Sequence, residues 1–325
     1  MKIRTAFQKA QKEAQTENVF LLLLLVVLVL AISFLQRDFL RPGTLQSIAF
    51  QLPELGLLTL SMMIPMITGG INLSCIASAN LSGILMATIM TTYIAEGQEN
   101  TAIVLAAIAA GILVSVLVGL ANGVVIAYFK VPAILATLGM QMLINGICLV
   151  ITRGRIISGY PDSFGNIGSG SVAGLPVPLI IFAICALLMV FIIKKMPIGS
   201  QIYMFGSNAT ATGFSGVNTK AMILKVYAIS GFFVGIASIV LTSRFNSASA
   251  GYAESYLLIA VLIAVLGGIS PNGGKGRVSG LVLSVLILQV VSSGLNLLRV
   301  SQHLTTALWG VILLLAVAVG SRRES

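Results

Sequence analysis

Ten apolar runs, separated by short polar intervals, take up most of the chain. They cover roughly 19–35, 45–68, 72–95, 101–129, 131–151, 175–193, 221–241, 252–267, 277–297 and 303–320, each to within a few residues. The first is uncharged and longer than the core of a signal peptide, which runs about 7–15 residues. Further runs follow it, so the pattern predicts a retained first span behind a polar, basic tail, residues 1–18. Gly and Pro inside several runs are compatible with spans packed in a bundle.

One polar interval is longer than a simple turn needs. Residues 194–225 read KKMPIGSQIYMFGSNATATGFSGVNTKAMILK, with Lys194 and Lys195 closing one apolar run and Lys220 and Lys225 opening the next. Ser207 or Asn208 can cap the free amides of a following turn, and Gly216 supplies a stop. The expected product is a helix of roughly two turns, too short to span a bilayer. Two readings stand for it: an ordinary interhelical connection, or the contact by which another subunit moves this chain. The other long connection, 152–178, is rich in Gly and Ser and either docks an external partner or joins two helices.

Composition settles the class. Of 325 residues, 57% are apolar and 9% charged, against about 25% charged in soluble domains. The expectation is an all-α, polytopic membrane protein of about ten transmembrane helices, one membrane domain over 1–325 with its main polar loop at 194–221. A net charge of +10 could suggest nucleic acid, but the basic residues sit at the ends of apolar runs and read as topology signals. With the N-terminus inside, Lys2, Arg4, Lys9, Lys12, Lys130, Lys194, Lys195, Lys220, Lys225, Lys275, Arg277, Arg322 and Arg323 fall on the cytoplasmic side. Arg37, Arg41, Arg153, Arg155, Arg244 and Arg299 fall outside. That bias follows the positive-inside rule and puts both termini in the cytoplasm. Cys75, Cys148 and Cys185 lie in or beside apolar runs and read as buried small hydrophobes rather than a disulfide framework.

Candidate chemistry is sparse. The chain has one histidine, His303, and lacks HExxH, paired cysteines and GxSxG, so no catalytic residue, metal site or cofactor is expected. The glycine-rich loop GGISPNGGKGR, with Gly267, Gly268, Gly273, Gly274, Lys275 and Gly276, is not a Walker motif: Ile269 stands where that motif needs Gly, and Gly276 where it needs Ser or Thr. It reads as a tight turn at the inner face, anchored by Lys275 and Arg277. Glu54 is the acidic residue well inside an apolar run, near the outer end of the second, where it is expected to face water. A proton-driven carrier normally places titratable groups in mid-membrane. The interior offers neutral amides and hydroxyls instead: Asn72, Ser74, Asn80, Ser82, Asn122, Gln141, Asn145, Gln289 and Asn296. These suit an uncharged hydroxylated solute, or equally bond one helix to the next.

Three stretches, with a fourth behind them, together resemble one family. They are ITGGINLSCIASANLSGILMAT (67–88), GSNATATGFSGVNTKAMILKVYAISG (206–231) and LGGISPNGGKGRVSG (266–280), followed by SGLNLLRV (293–300). The chain from about residue 45 onward resembles the permease subunits of ribose-type ABC importers, which serve ribose, xylose, galactose and the autoinducer-2 furanose. The resemblance implies a fold similar to the vitamin B12-type importers and a bacterial inner-membrane location. It also implies pairing with a second copy or a homologous permease, two cytoplasmic ATPase domains and a periplasmic solute-binding protein. The family's coupling element then falls on Gly206, Ser207, Asn208, Ala211, Ser215, Gly216 and Asn218. Its GG-I-D-L-S signature falls on Gly69–Ser74, with Asn72 in place of Asp and Cys75-Ile76-Ala77 in place of Val-Gly-Ser. A neutral cap thus replaces a carboxylate at the next helix start, which leaves the substrate open and suits a heteromeric partner. The implied mechanism is alternating access driven by ATP on another chain, past a path lined by Asn72, Ser74, Asn80, Asn122, Gln141, Asn145 and Asn296. The rival from another class is a stand-alone secondary transporter or channel for a neutral polar solute.

Overall fold

Long uncharged runs must satisfy their backbone polar groups internally, and in lipid the helix is the way an open chain does so. A computed structural model describes residues 2–94 and 98–324, with side chains for 18–94, 98–301 and 303–315. Each of the ten apolar runs contains a helix: α1 (Lys2–Leu35), α2 (Pro42–Ile67), α3 (Cys75–Tyr93), α4 (Thr101–Tyr128), α5 (Ala133–Thr152), α7 (Val177–Lys195), α10 (Thr219–Phe245), α11 (Tyr256–Leu266), α12 (Val278–Leu297) and α13 (Gln302–Glu324). Three shorter helices lie between them: α6 (Asp162–Ser169), α8 (Pro197–Ser207) and α9 (Ala209–Phe214). Strands are reduced to two-residue pairs, Ile157–Ser158 with Ser247–Ala248 and Ser171–Val172 with Leu175–Pro176. The protein is an all-α, multi-pass membrane protein.

Among the described residues, eight helices are long and apolar enough to cross a membrane, so the expected ten is an approximate count. The run at 252–267 forms only the eleven residues of α11, about 16 Å against a hydrocarbon core of about 30 Å. Turns occupy 250–255 and shorten it. In the last run the described apolar stretch is His303–Leu315. Two further expectations change. The polar tail continues the helix of the first span without a break, as its Ala, Gln, Lys and Glu content favours. The interval 194–221 holds two helices rather than one.

α10 and α2 form the axis of the bundle. α4 packs along α10 at close range, and glycine makes this possible. A Cβ on Gly119 would strike the Tyr227 carbonyl, one on Gly231 the Ser115 carbonyl, and one on Gly235 would lie 2.9 Å from the Ile112 Cα. Gly119 with Gly123, and Gly231 with Gly235, are small-xxx-small pairs on facing helices, the spacing that lets two backbones touch. α6, from the 152–178 connection, is built into this bundle. Ser243 Oγ donates to the Phe164 carbonyl and accepts from the Gly168 amide at 2.7 Å.

Glu54 does not face water. It is 3% exposed, with Arg244 Nε 2.7 Å from its carboxylate and the Tyr256 hydroxyl donating at 3.3 Å. The pair ties the middle of α2 to the end of α10 and the start of α11. Its position along the apolar run suggested exposure, but the end of α10 and the turn before α11 fold over it.

Removing one member of such a pair leaves the other charge buried. Arg244→Ala should therefore cost about 3–5 kcal/mol, and adding Glu54→Gln should restore most of the loss. Melting temperatures of the purified variants check this; equal values for the single and double variants would contradict it.

Candidate functional site

The interval after α7 is shaped by capping. Pro197 opens α8 at a position that needs no amide hydrogen. Asn208 leaves the helix in an extended conformation, and its side chain accepts from the Ala211 amide at 2.9 Å, capping α9. α9 runs six residues and ends at Ser215, and Gly216 follows at φ +82°, the left-handed stop. Asn218 then caps α10 through the Ala221 amide at 3.0 Å. The Asn208 cap and Gly216 thus define the two ends of α9, which is exposed on every residue except Thr212. Phe214 at its end is 90% exposed. Sequence reasoning passed over Phe214, although it is the single aromatic residue in the polar stretch 206–218.

α8 carries this element onto the bundle. Ile198 and Ile202 are buried, and the Tyr203 hydroxyl donates to the Gly276 carbonyl at 2.6 Å. Burial raises the Tyr203 phenol above its usual range, with the Arg277 charge opposing, so it stays a donor near neutral pH. At Gly206 a side chain has no room: a Cβ would meet the Ile67 carbonyl and the Gly274 amide. That amide donates to the Ile67 carbonyl at 2.8 Å, satisfying one of the last carbonyls of α2, which have no partner within the helix. Gly268, Gly273 and Gly274 take positive φ, the conformation that lets the 267–277 loop fold tightly against α8. The end of α2, the end of α8 and the glycine loop thus form one junction, with Gly267 packed on Gly280 and Leu281 of α12. Lys275 is exposed beside it.

From this junction the chain turns back into the bundle as the irregular segment 68–74. Its polar groups are bonded in a directed series. Pro65 has no amide hydrogen, so the Ser61 carbonyl lacks its helical donor. The Ser230 hydroxyl supplies it at 2.7 Å. Ser230, having donated, accepts from Asn72 Nδ2 at 2.9 Å. Asn72 Oδ1 accepts from the Ser74 amide at 3.2 Å and the Ser74 hydroxyl at 2.8 Å. Ser74 Oγ in turn accepts from Asn122 Nδ2 at 2.7 Å, and Thr137 Oγ1 donates to the Ile71 carbonyl at 2.8 Å. The backbone amide of Ser74 can only donate, so the amide oxygen of Asn72 must face it and the nitrogen must face Ser230. Asn72 therefore serves as both acceptor and donor, which a carboxylate cannot.

The other neutral residues separate by position. Asn80 Nδ2 donates to the carbonyls of Ala250 and Tyr252 at 2.8 and 3.0 Å. Ser82 is buried, and Gln289 bonds Gln51 of α2 at 3.0 Å. Gln141 and Asn145 are half-buried on α5, and Asn296 is exposed near the end of α12. Asn72, Ser74 and Asn122 come together in one network, while Asn80, Gln141, Asn145 and Asn296 lie apart from it. The arrangement offers no nucleophile paired with a base, and among the described residues no cluster of ligands for a metal.

The family described as branched-chain amino acid transport system / permease component matches residues 44–317. The chain is 33% identical over 297 residues to the ribose import permease protein of Haemophilus influenzae, covering 90% of each. It is 31% identical to the D-allose transport system permease protein of Escherichia coli K12, covering 92% of this chain and 90% of that protein. To the autoinducer 2 import system permease protein of Yersinia enterocolitica it is 29% identical, covering 81% and 79%.

Two substitutions probe this geometry. Asn72→Asp forces Ser230 to choose between the new carboxylate and the Ser61 carbonyl, leaving one buried group unpaired at about 1–3 kcal/mol. The melting temperature should fall, and Asn72→Ala, which leaves Ser230 bonded to Ser61, should fall no further; an unchanged Asn72→Asp protein would refute the series. Gly206→Val should separate α8 from Ile67 and Gly274 while the spans stay inserted. Faster amide exchange at Gly274 reads this out, and unchanged protection there would show that the junction is not held by close approach.

Proposed function

We propose that this chain, which belongs to the family described as branched-chain amino acid transport system / permease component, is the membrane-spanning subunit of an ATP-driven sugar importer. Its cargo is a sugar or related hydroxylated solute, moved from the periplasm to the cytoplasm across a bacterial inner membrane, with both termini on the cytoplasmic side. The observation that carries the reading is the match, over nine-tenths of the chain, to permeases named for ribose import and D-allose transport. The neutral interior agrees with such a cargo: polar groups along the spans are mostly amides and hydroxyls, and among the described residues the one buried carboxylate, Glu54, is already paired with Arg244.

The chain is a transport subunit, not an enzyme, so ATP is hydrolysed on a separate cytoplasmic subunit. We assign the contact with that subunit to α9 and its flanks, Gly206, Ser207, Asn208, Ala211, Ser215, Gly216 and Asn218. Phe214 is added as the apolar anchor seated in the ATPase surface. The glycine loop, Gly267, Gly268, Gly273, Gly274, Lys275 and Gly276, receives the displacement through Gly206 and Tyr203 and passes it to α2 and α12. Asn72, Ser74 and Asn122 shape the wall of the solute path, with Asn80, Gln141, Asn145 and Asn296 lining its course. Residues 1–325 act as one domain, paired with a second permease and supplied by a periplasmic binding protein. ATP shifts the equilibrium between two states of that pair because the ATPase binds them unequally.

Reconstitution in proteoliposomes with an ATPase subunit and a binding protein from a ribose-type importer tests the assignment. Uptake of a labelled pentose, hexose or polyol should require ATP and both partners. Phe214→Asp should weaken ATPase docking by about 2 kcal/mol, more than tenfold, with the spans still inserted. Solute flux through the permease alone would overturn the reading in favour of a stand-alone carrier.

A further inference from the structure

A cleft of about 880 Å³ opens on the flank of the bundle between α1, α7 and α12, with Leu52 of α2 at its floor. Clefts of about 300–1,000 Å³ are large enough to hold a bound organic molecule. The walls repeat at helical spacing: Leu22 on α1, Ala183 and Leu187 on α7, Val282 and Leu286 on α12. Ala183 and Ala186 are the small side chains of the α7 wall and leave room between the larger ones. At one end Asn18 Nδ2 donates to Ser279 Oγ at 3.0 Å and staples α1 to α12. The lining of that end is otherwise apolar, and α1 covers little of the bundle: 6% of its span is buried.

The polar end of this cleft is also its basic end. Val190 lines it, and Lys194 stands four residues on, one turn along the same face of α7. Lys195 is adjacent, and both are exposed. From Val190 to Leu179 the cleft runs about 17 Å along α7, close to half of a hydrocarbon core of about 30 Å. An apolar slot one leaflet deep, between membrane spans, with Lys194 one turn beyond its polar end and Lys195 beside it, has the shape and charge of one kind of occupant.

We propose that this cleft binds an anionic phospholipid, one acyl chain lying against Leu22, Ala183 and Val282 and the phosphate held by Lys194 and Lys195. The proposal rests on the functional reading only for placing the basic end in the cytoplasmic leaflet. The bound lipid fills the gap that α1 leaves and couples the outer helix to α7 and α12 in their packed arrangement.

The permease alone, in phosphatidylcholine nanodiscs containing a trace of phosphatidylglycerol with a diazirine in its acyl chain, provides the test. Photolysis should label α1, α7 and α12 within the cleft, above the labelling of α5, whose span is 22% buried, less than that of α7 or α12. Unlabelled phosphatidylglycerol should compete roughly tenfold better than phosphatidylcholine. Lys194→Gln with Lys195→Gln should abolish that preference while acyl labelling persists, and Ala183→Trp should remove the labelling itself. Labelling spread evenly over all spans and unchanged by Ala183→Trp would overturn the site. Equal competition by the two lipids would overturn the anionic assignment. None of these readouts uses ATP, sugar or a partner subunit, so failure here and failure of the transport assay are separately visible.

Discussion

A backbone carbonyl or amide in lipid has no water to turn to, and the arrangement at Pro65 follows from that constraint. The proline removes a helical donor in the last turns of α2, the Ser230 hydroxyl replaces it, and Ser230 must then accept a bond from Asn72. Asn72 passes the polarity on to Ser74, and Ser74 to Asn122. Each bond has its direction set by the one before. The result is an irregular segment, 68–74, held within the bundle by groups from α2, α4, α5 and α10. A neutral residue at 72 is what this series requires, so the departure from the Asp of the GG-I-D-L-S pattern is matched by its surroundings in this chain.

Glycine performs the complementary task of letting backbones meet. Gly119 and Gly231 bring α4 and α10 together, and Gly206 brings α8 against Ile67 and Gly274. In lipid no hydrophobic gain separates a packed helix pair from two lipid-coated helices, so close van der Waals contact and interhelical hydrogen bonds must hold them. Three stretches far apart in the chain, around Gly69, Gly206 and Gly273, carry the family resemblance. They meet at one junction, where a Cβ on Gly273 would lie 2.9 Å from the Gly69 amide and 2.8 Å from the Gly206 carbonyl.

Much of this was legible from residue order. Apolar run length located each of the ten helical regions, because lipid imposes it locally. The caps at Asn208 and Asn218 and the stop at Gly216 were also readable, since capping involves residues three or four apart. What sequence reasoning missed depends on distant partners. Glu54 looked exposed because its partner Arg244 lies 190 positions on. In sequence α8 reads as part of a loop because its apolar face, Ile198 and Ile202, is short and interrupted by glycine. The facing pairs Gly119/Gly123 and Gly231/Gly235 carried a usable signal in their spacing, which a total glycine count hides. Ser230 carried none until its distance to Ser61 was known.

Transmission of force asks for stiffness where contact is made and freedom elsewhere. α9 is capped at both ends, and α8 before it is pinned by Tyr203 to Gly276 and by Gly206 to Ile67. On the proposed coupling role, a push on Phe214 would reach α2 and the start of α12 through these close backbone contacts and hydrogen bonds. At the far end, Glu54 and Arg244 fasten α2 to α10, so the two helices at the axis resist sliding apart. A body fastened in this way would tilt as a whole under the proposed mechanism. Flexibility is then left to surfaces the chain does not pack for itself: the open face of α5, and the flank of α1.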